Sequence, residues 1–339
     1  MANERVLLSP AIDDFFRRAG LASQDQLDCY SLIEQLFPGI PLSPSPCQGY
    51  CSMTVFVGED IVIQFRPTIY KLDLEVTTAA RKVYGSFAPA TRYIATIPTS
   101  GLLVYSMDRI HGVSFNEFRK HLKKDCCSHS RKTICRDFAA FLARGWYHNN
   151  DCSIPKGHVG RSIISRLESL TKELPVRFRS VARSVLEQLQ RINALPWVLT
   201  HGDITPSNIM VNPLNGRLLG FVDWAEAELI PFGVSLYGLE ELLGEMTPAG
   251  FQYDQDASAL RDIFWSELSK QIPDLRQKQT LEAVKLARDL GVLLWHGIAF
   301  DNGAIDRVVE EGRDVEEICR LDAFLEFEKL PPISRASRI

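Results

Sequence analysis

Four side chains, His201, Asp203, Asn208 and Asp223, stand at separations that suit phosphoryl transfer to an alcohol. That reaction needs a carboxylate to accept or orient the acceptor hydroxyl, and oxygen ligands to hold Mg²⁺ against the phosphates. Asp203 suits the first task. Asn208, five positions on, offers a neutral oxygen to a hard cation, and Asp223 offers a charged one. His201 suits an organiser of the loop, bonded to backbone or to Asp223, better than a proton carrier.

Local sequence explains how these residues would be held. Val198-Leu199-Thr200 and Ile209-Met210-Val211 are strand-like ends around a polar middle, where Pro206 prevents a regular ladder. Leu218 to Val222 reads as a short buried strand, and Leu214-Asn215-Gly216 as the turn before it. The resulting hairpin would carry Asp223 back beside Asn208.

Further out, the chain changes texture twice. Residues 1–44 read as a helical segment, with Leu27, Tyr30, Leu32, Ile33 and Leu36 near helical spacing before Pro38-Gly39. Residues 45–108 are β-rich: Met53–Val57 and Ile61–Phe65 flank a Gly58-Glu59-Asp60 turn, Leu72–Tyr84 reads as one helix, and Leu102–Tyr105 as a further strand. A hinge is expected near Ser106–Gly112. Residues 109–330 are mainly helical and 331–339 a loose tail. The expectation is an α+β protein of two lobes, a small β-rich N-lobe and a larger α-helical C-lobe, with ligands bound between them.

Composition excludes several classes. A net charge of −4 offers no field for nucleic acid or a membrane surface, and no apolar run approaches the length of a bilayer span. A cytoplasmic protein with no required protein partner is expected. Cys126, Cys127, His129, Cys135, His148, Cys152 and His158 crowd one region without the paired spacing of a zinc site, so reduced thiols are expected.

His201-Gly202-Asp203, Asn208 and Val222-Asp223-Trp224 together resemble the aminoglycoside phosphotransferase and choline kinase family, whose loop is H-G-D-x-x-x-x-N followed by [IV]-D-W. Glu226, Pro231 and Leu236-Tyr237-Gly238-Leu239-Glu240 are similar to its fungal-type branch. The resemblance implies a protein-kinase-like two-lobe fold, ATP with Mg²⁺, and a small-molecule hydroxyl as acceptor. Gly202 stands where protein kinases carry an Arg that reads a phosphorylated loop, which disfavours protein substrates.

The family's strand cation is replaced here by Gln64, with Arg66 two positions on along the same strand face; either residue could meet phosphate. Glu75 is the expected partner of that cation. Ser52, in the Gln48–Ser52 loop, and Tyr105 and Met107, beside the hinge, are the remaining nucleotide candidates. After Pro231 the family's loop-steadying carboxylate is missing from Phe232-Gly233-Val234-Ser235. Glu240, Glu241, Trp295, His296 and Asp301 are candidates to line the acceptor site, where Trp and carboxylates could hold an amine. Two other functions fit Gln64 and the sparse glycine loop: a nucleotide-binding pseudoenzyme or interaction module, and an enzyme using ATP to activate a carboxylate.

Overall fold

The computed structural model describes residues 10–46, 48–122, 128–148, 154–301 and 304–326. Helices α1 (Pro10–Arg18) and α2 (Ser23–Leu36) lead into β1 (Leu42–Pro44), β2 (Met53–Val57), β3 (Ile61–Arg66), α3 (Leu74–Tyr84), β4 (Thr91–Thr96) and β5 (Leu103–Asp108). The five strands form one antiparallel sheet in the order β1-β2-β3-β5-β4. The Gly58 turn pairs Val57 with Ile61, and Gly58 takes the positive φ (60°) such a tight reversal demands.

Strand alternation gives this sheet two different faces. Val55, Ile63, Phe65 and Val104 face one way and pack on Ile12, Phe15, Phe16, Cys29 and Ile33 of α1 and α2. A nine-residue helix such as α1 is unstable alone. Burial of Ile12, Phe15 and Phe16, at about 1.5–3 kcal/mol each, fixes it here. The helical reading of residues 1–44 fails at its end, where Leu42–Pro44 pairs with β2 as an edge strand. The opposite face carries Thr54, Gln64, Arg66 and Met107 toward the site.

α3 closes that face. Asp73 caps it by accepting from the amides of Glu75 (2.9 Å) and Val76 (3.2 Å). Its buried stripe of Val76, Ala80, Val83 and Tyr84 joins the main core.

From Val113 onward the described chain is mostly helical. β6 (Val113–Ser114), α4 (Phe115–Leu122), α5 (Ser128–Tyr147), α6 (His158–Glu173), α7 (Val176–Glu187) and α8 (Leu189–Asn193) precede the polar segment. β7 (Trp197–Thr200), β8 (Ile209–Val211), β9 (Leu218–Phe221) and β10 (Glu228–Pro231) frame it. Then follow α9 (Tyr237–Leu243), β11 (Gly244–Thr247), β12 (Gly250–Tyr253), α10 (Ala257–Gln271), α11 (Lys278–His296), β13 (Ile298–Asp301), β14 (Ala304–Val308) and α12 (Val315–Glu326). Phe138, Phe141, Phe221, Phe264, Leu290 and Leu293 sit at the centre of the larger core. The N-terminal region is thus β-sheet and the C-terminal region helical, the order expected from the sequence. No described helix is long and apolar enough to cross a membrane.

Among the crowded cysteines, Cys135 is a buried free thiol, whereas Cys126, Cys127 and Cys152 lie outside the described residues.

Candidate active site

The polar segment is held from beneath by an aromatic and histidine seat. His201 is fully buried, and its ring meets Trp224 edge-on at 4.7 Å. Its Nδ1 accepts from the Asp203 amide (3.2 Å), so Nε2 carries the proton and donates to the Val222 carbonyl (2.8 Å). Burial pushes the His201 pKa down to about 4. A neutral ring bonded at both ends organises the loop and carries no proton to substrate. Of the partners expected for it, the backbone is the one used.

The hairpin reading holds in detail. β8 pairs antiparallel with β9, and the Val222 amide donates to the Asn208 carbonyl at 3.0 Å. Asp223 therefore emerges next to Asn208. It has φ 61° and ψ 70°, the one positive φ among described non-glycine residues. Such a conformation costs about 1–2 kcal/mol for an L-residue, and such cost concentrates where side-chain direction matters for function.

Asn208 donates through Nδ2 to the Asp203 carboxylate (2.7 Å) and carbonyl (3.1 Å). That orientation leaves Oδ1, the atom a hard cation takes, uncommitted. Asp223 is exposed, and among the described residues the one cation it meets is a distant Arg66, at 3.8 Å. Asn208 Oδ1 and the Asp223 carboxylate therefore fit a Mg²⁺ ion that keeps waters and phosphate oxygens as its other ligands.

Burial, with the charges of Asp223 and Glu226 adding to it, pushes the Asp203 pKa up to about 7 despite the Asn208 hydrogen bond. The unfolded value is near 3.8. Between those limits the folded state holds the proton more tightly than the unfolded chain, so stability falls as pH rises from about 4 to about 7. Asp203→Asn cannot titrate. In metal-free buffer its melting temperature, relative to the parent, should climb steadily from pH 4.5 to 7.5. A gap that stays constant would mean Asp203 titrates as an ordinary carboxylate.

Gly202 (φ 79°) is obligatory on steric grounds. A Cβ there would stand 1.9 Å from the Glu226 carbonyl oxygen. The support missing after Pro231 comes from elsewhere: the buried Tyr237 hydroxyl accepts from the Ile204 amide at 2.9 Å. Ile204 itself is seated against Gly238, where a Cβ would come within 2.3 Å of Ile204 Cγ2. Tyr237 carried no sign of this role in sequence beyond its place in the Leu236–Glu240 run.

Across the cleft, a polar chain runs along one sheet face. Ser52 Oγ meets Thr54 Oγ1 (3.4 Å), Gln64 Nε2 donates to Thr54 Oγ1 (3.3 Å), and Arg66 Nη1 donates to Gln64 Oε1 (3.3 Å). Arg66 is 3% exposed, and its Nε has no hydrogen-bond partner among the described residues. Gln64, Arg66 and Met107 line one narrow cleft with Thr77, Asp223 and Trp224. Gln64 thus orients the guanidinium and does not substitute for it.

Two nucleotide expectations are corrected. Arg66 does not pair with Glu75. Glu75 is exposed in the first turn of α3, where the Asp73 cap and helix dipole favour a carboxylate, and Thr77 lines the cleft in its stead. Tyr105 is 1% exposed, packs edge-on to Tyr93, and accepts from the Leu72 amide (3.3 Å). It supports the cleft wall and does not line it.

A second cavity, about 590 Å³, opens beside the polar segment and is lined by Thr205, Pro206 and Ser207 together with Glu241, Trp295 and His296. Three of the five acceptor-site candidates are therefore brought together. Glu240 is not one of them. It is 1% exposed and locked to Arg261 (2.6 Å) and Arg288 (2.9 Å), a buried knot tying α9, α10 and α11. Removing one partner of such a knot strands a buried charge, so its place is structural. Asp301 ends β13, and its side chain lies outside the described residues. Sequence reading missed Arg119, Glu317 and Arg320, which line the same cavity from α4 and α12.

Residues 130–239 match the model of the phosphotransferase enzyme family, so the resemblance carried by His201-Gly202-Asp203, Asn208 and Val222-Asp223-Trp224 is shown. A Bacillus subtilis (strain 168) protein described as the uncharacterized protein YcbJ is 29% identical over 91 residues. Those residues are 26% of this chain, and the chain spans only 28% of that relative's length. Among solved structures, the GDP complex of wild-type aminoglycoside 2'-phosphotransferase-IIIa is similar, with a TM-score of 0.49, 13% identity, and coverage of 78% of this chain and 98% of that one. Choline kinase LicA from Streptococcus pneumoniae has a TM-score of 0.41 and 15% identity, covering 78% and 99%.

Proposed function

We propose that this chain, which shares the phosphotransferase enzyme family's pattern through its catalytic segment, is an ATP- and Mg²⁺-dependent kinase of a small metabolite's hydroxyl. The observation that carries the reading is the convergence of Asp203, Asn208 and Asp223. A carboxylate whose pKa sits near neutrality faces two oxygen donors left without a strong partner. A scaffold or binding module has no need of that combination.

Each residue then has a stated task. The acceptor oxygen attacks the γ-phosphorus as the bond to the β–γ bridging oxygen breaks; ADP leaves, and the hydroxyl proton passes to Asp203. A base poised near pH 7 is the efficient one for that transfer. Asn208 holds the carboxylate toward the acceptor through Nδ2. Mg²⁺, held by Asn208 Oδ1 and Asp223, would offset the charge of the phosphates. His201 and Tyr237 fix the loop so that none of this geometry must be assembled at the moment of reaction.

Arg66 is the phosphate cation in this reading, with Gln64 and Ser52 steering it. Its buried Nε lacks a partner among the described residues, a condition that costs about 1–3 kcal/mol and that a phosphate oxygen would relieve. Arg66→Gln should raise the KM for ATP by about 10- to 100-fold, measured at saturating acceptor. An unchanged KM would remove Arg66 from the nucleotide site.

The test of the whole reading is transfer of label from γ-labelled ATP to amino alcohols, aminoglycosides and the small-molecule fraction of a cell extract, with and without EDTA. Label should appear only where Mg²⁺ is present. Mg-ATP binding with no transfer to any acceptor would move the protein to the pseudoenzymes.

A further inference from the structure

We propose that the acceptor carries a compact oxyanion, a carboxylate or a phosphate, which Arg119 grips while the hydroxyl lies against Asp203. This rests on the kinase reading above and adds the acceptor's charge to it.

The cavity beside the catalytic loop is lined by three cationic side chains, Arg119, Lys120 and Arg320, and three acidic ones, Glu241, Glu245 and Glu317. An amine-binding cage needs its carboxylates free. Two of these are spent on the protein itself. Glu241 Oε1 accepts from Arg320 Nε at 2.9 Å. Glu317 Oε2 meets His296 Nδ1 at 2.6 Å, and its Oε1 stands 3.6 Å from Arg320. The His296 hydrogen bond and the nearby charges outweigh burial and hold the Glu317 pKa below its usual value, so it stays an internally matched carboxylate.

Arg119 is the unmatched group. Among the described residues no carboxylate lies within ion-pair distance of it. Its Nη2 donates to the backbone carbonyl of Glu241, and its guanidinium covers the Phe115 ring at 4.8 Å. Burial pulls its pKa down, with Asp254, Glu241 and Glu245 acting only as more distant attractions. A half-buried guanidinium with one neutral acceptor still has donors to offer, in the fork that fits a carboxylate or phosphate.

Its position is also set by the chemistry. Asn116, one helical turn earlier on α4, donates through its amide to the Pro206 carbonyl (3.1 Å) and through Nδ2 to Ser207 Oγ (2.9 Å). Residues i and i+3 share a helix face. α4 is thus pinned to the catalytic loop at Asn116 and presents Arg119 directly beyond it, on the wall of the cavity that the loop borders.

The test uses acceptors that differ only in the oxyanion: serine against ethanolamine, glycerate against ethylene glycol, glycerol phosphate against glycerol, with choline and an aminoglycoside beside them. The small-molecule fraction of a cell extract, split beforehand on an anion exchanger at pH 10, covers acceptors outside the panel. Label from Mg-ATP should enter anionic members or the retained fraction. Arg119→Met should then raise the acceptor KM by about 10- to 100-fold, and Arg119→Lys should recover part of it, with the Kd of Mg-ATP by calorimetry within about twofold of the parent. Label confined to amino alcohols, aminoglycosides or the unretained fraction overturns the proposal, as does an unchanged acceptor KM in Arg119→Met. Label in no fraction at all overturns the kinase reading, and this inference with it.

Discussion

On the proposed kinase reading, Asp203→Asn is expected to lower kcat by about 10²- to 10⁴-fold, the range that a positioned general base supplies, while the protein folds and still binds Mg-ATP. The substitution keeps the shape, and an amide oxygen can still accept from Asn208 Nδ2, the bond that the carboxylate accepts now at 2.7 Å. What disappears is the atom that takes the hydroxyl proton. The check is single-turnover transfer at saturating ATP and acceptor, beside calorimetric binding of Mg-ATP. A variant retaining more than a tenth of the parental rate would mean that Asp203 only orients the acceptor, and that the proton leaves by another route.

Gly202→Ala is expected to add a damaging methyl inside the polar loop itself. The new Cβ would lie 1.9 Å from the Glu226 carbonyl oxygen and 2.5 Å from its carbon, both backbone atoms. A φ of 79° adds the penalty of a left-handed alanine, about 1–2 kcal/mol. Overpacking against backbone adds about 1–3 kcal/mol more. The only relief is to push 223–226 away, and that segment carries Asp223. Melting should therefore fall by about 5–10 °C, and the concentration of Mg²⁺ needed for half-maximal transfer should rise in the same variant. Parental melting with parental Mg²⁺ demand would show that the loop can relax without moving Asp223. The same overlap gives a physical reason why no arginine could read a phosphorylated loop from this position.

The loop half of the candidate site was legible because its parts lie close in sequence. Asp203, Asn208 and Asp223 fall within 21 residues, so one loop and one hairpin place them, and turn chemistry is written locally in Pro206, Asn215 and Gly216. Strand alternation likewise put Gln64 and Arg66 on one face. Helical spacing showed α2 but not what it covers. Glu75 misled because a carboxylate at a helix start is favoured by the dipole whether or not a cation waits across the sheet. Glu240 misled because an acid in a catalytic family's run looks the same whether it faces a cavity or two buried arginines.

Other parts are not local and left no trace in pattern. Arg119 is 84 positions before Asp203, and Arg320 is 117 after it; only the packing of α4 and α12 around the loop makes them neighbours. Tyr237 could be any core tyrosine until its hydroxyl is seen beneath the Ile204 amide. The left-handed turn at Asp223 is equally silent, since nothing in an Asp-Trp pair announces a positive φ.

The backing of the sheet by α1 and α2 has a consequence for the chain as it leaves the ribosome. Ile12, Phe15 and Phe16 are made early, but the surface that covers them includes Val104 of the central strand pair. Phe16 and Val104 are 88 positions apart, so at about 5–20 residues per second these side chains wait roughly 4–18 s without their partner. During that interval the segments that will become α1 and α2 present bare apolar side chains to the cell. Apolar surface exposed in this way is prone to aggregate, so protection of this stretch by a chaperone during synthesis would raise the amount of protein recovered.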